Sequence, residues 1–207
     1  LWEAVLDNLR TGCGNPALIN EELYAARLQE IGGVTPSDIA DYGFGGCTET
    51  MVHGKSNVGS LDAGINLPQL LVKTLETHLI SASDFISFFD AYKGDLRRAI
   101  ERLTQSVSRD QEQKARFQPQ PLRSLLIDDC IDEGVEYNAG GARYNWSVIN
   151  VGGLANVIDS LAAVRELVYE QRQIDGAELL EALRADFAGY ELLHRRLENC
   201  PRFGTDQ

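Results

Sequence analysis

Apolar residues at helical spacing alternate in this sequence with short β-branched and aromatic runs, and this alternation restricts the fold more than any other feature. The spacing predicts a helix at the start of the chain and further helices over residues 21–30, 64–80, 83–113, 154–170 and 176–197. Residues 143–151 indicate a strand, and residues 122–130 suit a strand or the start of a helix. Helices interleaved with short strands predict a helix-rich α/β fold.

Composition narrows the classes of partner. The 207 residues carry 19 basic and 31 acidic side chains, a formal net charge of −12. Such a chain is repelled by phosphate backbones, so we expect no nucleic-acid partner. A basic amphipathic face, a bilayer-length apolar run and a signal peptide are missing from the sequence, so we expect no membrane contact and a cytoplasmic protein. The chain begins without Met inside a predicted helix, and we expect it to start within a longer protein.

The residues that usually bind metals or nucleotides do not form the required patterns. Four widely spaced cysteines form no C-x-x-C pair, and the chain has only three histidines, so we expect no metal site. The run Gly54-Lys55-Ser56 resembles the end of a phosphate-binding loop, but Glu49 stands where that loop needs a glycine. We therefore expect no nucleotide site and interpret Lys55 as a loop residue. Residues 35–38 predict a short helix with Asp38 in its first turn.

Cys47 and Glu49 are the candidate catalytic pair. They lie two positions apart in the glycine-flanked segment 45–50, and an extended backbone would direct both side chains to one side. A thiol and a carboxylate facing one cavity suit a sulfur that attacks or abstracts beside a group that moves a proton. The alternative is that Cys47 is a small buried hydrophobic residue and Glu49 a solvated loop acid. Spacing alone favours this alternative.

A family resemblance changes that balance. Residues 42–49, Tyr-Gly-Phe-Gly-Gly-Cys-Thr-Glu, resemble the cysteine loop of glycyl radical enzymes, whose eliminase and decarboxylase branches carry a Gly-Cys-x-Glu motif. Residues 14–22 resemble the Gly-Asn-Pro segment upstream of that loop. Residues 138–145 with 151–163, and residues 199–206, are similar to later segments in the same order. The resemblance covers essentially all 207 residues.

The resemblance implies a fold and a place in it. Glycyl radical enzymes of the pyruvate formate-lyase type form a ten-stranded α/β barrel from two antiparallel half-barrels, with the cysteine loop inside. Residues 1–207 would then be the central part of such a barrel, with the cysteine loop near residues 42–50. The N-terminal half of the barrel and the C-terminal glycyl radical domain would lie outside this chain, and the isolated chain would be inactive.

The resemblance also implies the chemistry. In this family a partner activase, using S-adenosylmethionine and an iron–sulfur cluster, installs a glycyl radical on a separate C-terminal loop in anaerobic metabolism. By motif match Cys47 is the thiyl radical position, and Glu49 is the base that removes a substrate hydroxyl proton. The implied activity is a lyase or dehydratase acting on a small hydroxylated molecule. The implied partners are that substrate, the activase, the remainder of the polypeptide and a second copy in a homodimer, and no cofactor or metal binds this segment itself.

Departures from the family patterns leave two alternatives. The pyruvate formate-lyase branch has two adjacent cysteines, whereas Gly46 and Thr48 flank Cys47 here, and Thr50 replaces the proline usual in dehydratases. Residues 146–151 also differ from the family's aromatic-Thr-Gly-Pro-Gln-Gly loop. One alternative is a formate C-acetyltransferase-like or C–C cleaving enzyme. The other is a non-catalytic truncated chain or interaction subunit, in which the apolar faces of helices 64–80 and 154–170 would be exposed.

Overall fold

The computed structural model describes residues 1–46 and 49–204, and the chain divides into two compact units. Unit 1 contains residues 1–58 and 121–145, and unit 2 contains residues 59–120 and the chain from residue 146 onward. Each unit is therefore built from two separate stretches of chain. No helix within the described ranges combines the length and the hydrophobicity needed to cross a lipid bilayer.

Helices dominate the described residues. In chain order the α-helices are α1 (Trp2–Arg10), α2 (Glu21–Glu30), α3 (Leu67–His78), α4 (Phe85–Phe117), α5 (Pro121–Ser124), α6 (Asp128–Asp132), α7 (Leu154–Val164), α8 (Gly176–Arg184) and α9 (Glu191–Glu198). Single 3₁₀ turns lie at Ile39–Asp41 and Tyr137–Ala139, and a π-helical segment, Arg165–Glu170, continues α7. The strands are β1 (Tyr42–Gly45), β2 (Glu49–Val52), β3 (Ser56–Asn57), β4 (Ala63–Asn66), β5 (Tyr144–Asn145) and β6 (Ile149–Gly152).

The strands of the described residues pair only in twos. In unit 1, β1 and β2 form an antiparallel hairpin, and β3 pairs in parallel with β5. In unit 2, β4 pairs in parallel with β6. The fold is thus helix-rich α/β, as the sequence predicts, but the barrel implied by the resemblance is not closed within this chain. A closed barrel needs a hydrogen-bonded neighbour on both sides of every strand, and these pairs leave their outer edges unpaired by any described strand.

The core of unit 2 corrects one expectation about exposed apolar faces. On α3 the buried leucines recur every fourth residue and form one stripe along the helix. This stripe packs with buried residues of α4, α7 and α8 in a single cluster, which includes Leu67, Leu71, Leu75, Leu79, Phe88, Val157, Leu161, Val164, Leu167 and Leu179. The main apolar faces of helices 64–80 and 154–170 are therefore buried within unit 2, which contradicts the exposure expected of a truncated barrel piece.

The predicted helices are confirmed where a capping residue starts them. The Asn20 side chain accepts a hydrogen bond from the Leu23 amide at 3.0 Å at the start of α2, and Asp84 accepts one from the Ser87 amide at 2.8 Å at the start of α4. The predicted helix 154–170 is present as α7 with its π-helical continuation. Residues 122–130 follow their helical alternative, because α5 and the first turn of α6 occupy most of them.

Four sequence predictions fail at element boundaries. Helix α3 begins at Leu67 because Asn66 caps it, and the residues before it form β4 against β6. The helix predicted over 176–197 is broken into α8 and α9, where Asp186 and Phe187 adopt φ of 49° and 57°. The strand predicted over 143–151 divides into β5 and β6, which pair in different units. The short helix predicted over 35–38 is a turn that leads into Ile39–Asp41.

Tyr92 supplies a test of the unit 2 core. Its side chain is only 4% exposed, and its hydroxyl has no hydrogen-bond partner among the described residues. Because a buried unpaired hydroxyl destabilises the folded state, we expect Tyr92→Phe to raise the free energy of unfolding by about 1 kcal/mol. Urea unfolding of the chain measures this change.

The control for this variant is Tyr169→Phe. The Tyr169 hydroxyl donates to the Leu79 carbonyl at 3.3 Å, so its removal should lower the free energy of unfolding. Equal losses of stability in both variants would show that the Tyr92 hydroxyl is satisfied in solution.

Candidate functional site

The candidate catalytic motif lies on the hairpin of unit 1. Strands β1 and β2 pair antiparallel, with Gly45 opposite Glu49 and Tyr42 opposite Val52. Gly46 follows β1 with a φ of 52°, a left-handed conformation that favours glycine. Cys47, the residue expected to carry the thiyl radical, lies with Thr48 outside the described residues. Gly45 and Glu49 belong to two paired strands, and the prediction that the Cys47 and Glu49 side chains face one side stays a prediction.

The Glu49 carboxylate lies directly over Gly46. A Cβ placed on Gly46 would be 2.6 Å from Oε2 of Glu49, which is too close unless the carboxylate moves, and 3.3 Å from Oε1. Glycine is favoured at this position by its φ, and a larger residue would also push the Glu49 carboxylate from its place. Glu49 itself is half-buried as the first residue of β2. The carboxylate thus lies at the turn end of the hairpin, and Glu49 is two residues from Cys47 in the sequence.

Aromatic side chains cover one face of the hairpin. Tyr42 and Phe44 lie two apart on β1 and so project to the same side, where Tyr24 of α2 meets both. The Tyr24 ring packs edge-on against Phe44 at 4.9 Å between centroids and stacks on Tyr42 at 6.0 Å. The Tyr24 hydroxyl is hydrogen-bonded to the Thr50 hydroxyl on β2. Helix α2 is thereby attached to both strands of the hairpin.

At the other end of the hairpin, charged and polar side chains donate hydrogen bonds to the buried carboxylate of Asp38. Asp38, 3% exposed, accepts hydrogen bonds from Lys55 Nζ at 2.8 Å, from the Tyr144 hydroxyl at 2.7 Å and from Arg143 Nη1 at 3.0 Å. Lys55 donates a second bond, also of 2.8 Å, to Asp41. The bonds from Lys55, and then those from Tyr144 and Arg143, hold the pKa of the Asp38 carboxyl far below its usual range. Asp38 and Asp41 in turn raise the pKa of Lys55.

Arg143 extends this network to a fourth segment of unit 1. Its Nε and Nη2 atoms donate to the Asp129 carboxylate of α6 at 2.9 and 2.8 Å, which is a bidentate arrangement. The same guanidinium lowers the pKa of Asp129. Sequence reasoning missed this network, placing Asp38 in a predicted helical turn and Lys55 in a loop. No local pattern could have indicated it, because Arg143 and Tyr144 lie 105 and 106 positions from Asp38.

The other described cysteines do not form a second site. Cys13 is exposed, whereas Cys130 and Cys200 are buried thiols, and burial raises the pKa of both. Residues 1–46 and 49–204 contain no group of three or more His, Cys, Asp or Glu side chains that could hold a metal ion. In the described part of unit 1, the candidate reactive group is therefore the Glu49 carboxylate at the turn end of the hairpin. The ionic network around Asp38 lies at the opposite end.

Comparisons with known proteins cover the whole chain. The profile of the family described as "Pyruvate formate lyase-like" matches residues 1–207. Trans-4-hydroxy-L-proline dehydratase of Clostridioides difficile is 33% identical in an alignment 213 residues long with gaps, which covers 95% of this chain and 27% of that protein. The chain thus spans about a quarter of the length of the curated relatives it matches.

Solved structures show the same similarity in three dimensions. The glycerol-bound form of the B12-independent glycerol dehydratase from Clostridium butyricum superposes with a TM-score of 0.86 at 30% identity, over 96% of this chain and 27% of that one. A glycyl radical enzyme from Archaeoglobus fulgidus superposes with a TM-score of 0.77 at 27% identity, over 90% of this chain and 25% of that one.

Proposed function

Because this chain belongs to the pyruvate formate lyase-like family, we propose that it is the central segment of a glycyl radical dehydratase or lyase acting on a small hydroxylated substrate. The observation that carries the proposal is the Glu49 carboxylate held over Gly46 at the turn of the β1–β2 hairpin. Residues 42–50 would be the cysteine loop of that enzyme. The rest of the barrel and the glycyl radical domain would be supplied by parts of the polypeptide outside residues 1–207.

In this proposal Cys47 transfers hydrogen atoms and Glu49 accepts a proton. The glycyl radical, installed by an S-adenosylmethionine/iron–sulfur activase, would supply a site that accepts the thiol hydrogen atom of Cys47. The Cys47 sulfur then takes a hydrogen atom from the substrate carbon that bears a hydroxyl. Glu49 accepts the hydroxyl proton, the bond to the neighbouring leaving group breaks, and that group departs with its electron pair. Cys47 finally returns the hydrogen atom to the carbon that lost the leaving group.

The physical demands of this reaction fit the residues that would perform it. A thiyl radical is neutral, so Cys47 needs no neighbouring cation of the kind that lowers the pKa of a nucleophilic cysteine. A carboxylate accepts a proton best when its position relative to the substrate is fixed. The Glu49 backbone is placed by the pairing of β2 with β1, and the missing side chain of Gly46 leaves space for its carboxylate. A small substrate, the activase, a second copy in a homodimer and a cytoplasmic location complete the proposal.

The hairpin favours elimination over acetyl transfer. Acetyl transfer of the formate C-acetyltransferase type uses two adjacent cysteines, and the position before Cys47 is Gly46. A cysteine at position 46 would require a φ of 52° and would bring its Cβ to 2.6 Å from Glu49 Oε2. The turn therefore has no space for a second sulfur on that side while Glu49 keeps its place.

Product analysis of the complete polypeptide tests the proposed function. After anaerobic activation by the activase, the protein is incubated with trans-4-hydroxy-L-proline, glycerol or 1,2-propanediol, and separately with pyruvate and coenzyme A. We expect loss of water from at least one hydroxylated compound and no acetyl-coenzyme A. The same mixtures without the activase are the control. Acetyl-coenzyme A formation, or no turnover of any hydroxylated compound by radical-bearing protein, would refute the proposal.

A further inference from the structure

The two ends of the β1–β2 hairpin opposite its turn are joined by an ion pair. Asp41 immediately precedes β1, and Lys55 follows β2 after one short turn. The His53 amide donates to the Asp41 carbonyl at 2.9 Å, so the backbone closes the hairpin at this end. Lys55 Nζ then bonds to the Asp41 carboxylate at 2.8 Å and fastens the same two ends through side chains.

Asp38 ties this closed end to the rest of unit 1. Lys55, which is only 16% exposed, bonds to Asp38 as closely as to Asp41, but Asp38 is buried whereas Asp41 is half exposed. Arg143 and Tyr144 reach Asp38 from a stretch of chain more than a hundred residues away. Because Asp38 is buried and accepts bonds from Lys55, Arg143 and Tyr144, displacing it would leave a buried charge partly unpaired.

We infer that Asp38 is a positioning residue for the proposed reaction, since it fixes the closed end of the hairpin and so sets the position of β2, on which Glu49 lies. The inference rests on the proposed function for its catalytic meaning. Its structural part concerns only the contacts of Asp38, Lys55 and Arg143. A displacement of about 1 Å at a catalytic group can lower the rate by about a hundredfold. Loss of the Asp38 contacts at the base of this short hairpin is therefore expected to slow the reaction.

Met51 makes the position of the hairpin measurable without a substrate. It is the only methionine of the chain, lies on β2 opposite Gly43, and packs its methyl group onto Gly45. Methyl-¹³C methionine labelling of the 207-residue chain therefore gives one NMR signal, which reports the packing of the two strands. In Asp38→Asn we expect this signal to move by more than its linewidth or to split, because the amide cannot retain all three donors.

Asp62→Asn is the matched control. Asp62 is also a buried carboxylate, bonded to Lys114 at 2.6 Å and to the Ser147 hydroxyl at 2.8 Å, but it belongs to unit 2. Its replacement should lower thermal stability and leave the Met51 signal in place. Should Asp38→Asn fail to fold, Tyr144→Phe removes one of the three donors and is read in the same way. An unmoved Met51 signal in the folded variant of this pair would overturn the inference.

Turnover separates this inference from the proposed function. In the complete, activated polypeptide we expect Asp38→Asn to lower kcat per glycyl radical by about tenfold or more with KM little changed. Undiminished kcat per radical in Asp38→Asn, together with an inactive Glu49→Gln variant, would overturn the positioning role alone. An active Glu49→Gln variant would instead overturn the assigned base, whatever the Met51 signal shows.

Discussion

Glu49→Gln in the complete, activated polypeptide should stop elimination and leave hydrogen-atom abstraction in place. Glutamine has nearly the same shape but cannot accept a proton from the substrate hydroxyl. General-base catalysis contributes about a hundredfold to ten-thousandfold, so product formation should fall by that factor. Cys47 would still exchange a hydrogen atom with the substrate. With a substrate deuterated at the hydroxyl-bearing carbon, we therefore expect the label to be lost from recovered substrate while little product forms.

The control for this variant is Glu22→Gln. Glu22 is an exposed acid in the first turn of α2, within the same unit as the hairpin. It should retain the wild-type rate of product formation. Normal product rates in Glu49→Gln would remove Glu49 as the base and leave the position of its carboxylate at Gly46 without a catalytic explanation.

Cys47→Ala should abolish turnover without preventing formation of the glycyl radical. Alanine has no S–H bond, so the hydrogen atom cannot pass between the stored radical and the substrate. Activation itself takes place on the separate glycyl radical domain, and the electron paramagnetic resonance signal of the activated protein should keep its wild-type intensity. The pair of measurements, turnover and radical content, separates a lost catalytic group from a failure of activation.

Cys13→Ala is the matched cysteine control. Cys13 is exposed and belongs to the same unit, so its loss should change neither turnover nor radical content. Cys130 and Cys200 are less suitable controls, because both are buried and their replacement alters packing. Measurable turnover in Cys47→Ala would contradict the assignment of the thiyl radical to this residue.

Local signals in the sequence account for the part of the fold that could be predicted. Helices α2 and α4 begin directly after Asn20 and Asp84, whose side chains cap the first turn, and their apolar spacing continues from there. The break between α8 and α9 could not be predicted, because Asp186 and Phe187 adopt left-handed backbone without being glycine. Strand β4 was missed because its partner β6 lies far along the chain, and pairing at such distances leaves little trace in local spacing.

In the candidate site, too, only part of what the structure shows could be predicted from the sequence. Gly46 and Glu49 are singled out by the resemblance, which rests on a local motif, Gly-Cys-x-Glu. Asp38 could not be identified in this way, since its donor Arg143 lies 105 positions away and only folding brings the two together. The barrel was predicted from the family resemblance alone. The described strands form three separate two-stranded sheets. Periodicity therefore predicts elements, whereas the ionic network that holds the hairpin is visible only in three dimensions.

The path of one hydrogen atom tests the central claim most directly. The complete, activated polypeptide is supplied with glycerol carrying deuterium at its terminal carbons, and the product is examined for the position of the label. If Cys47 removes and returns the same atom, deuterium from the hydroxyl-bearing carbon will appear on the neighbouring carbon that lost water. A dehydrated product that carries only solvent-derived protium at that carbon, and that forms equally fast in Cys47→Ala, would contradict a thiyl radical elimination.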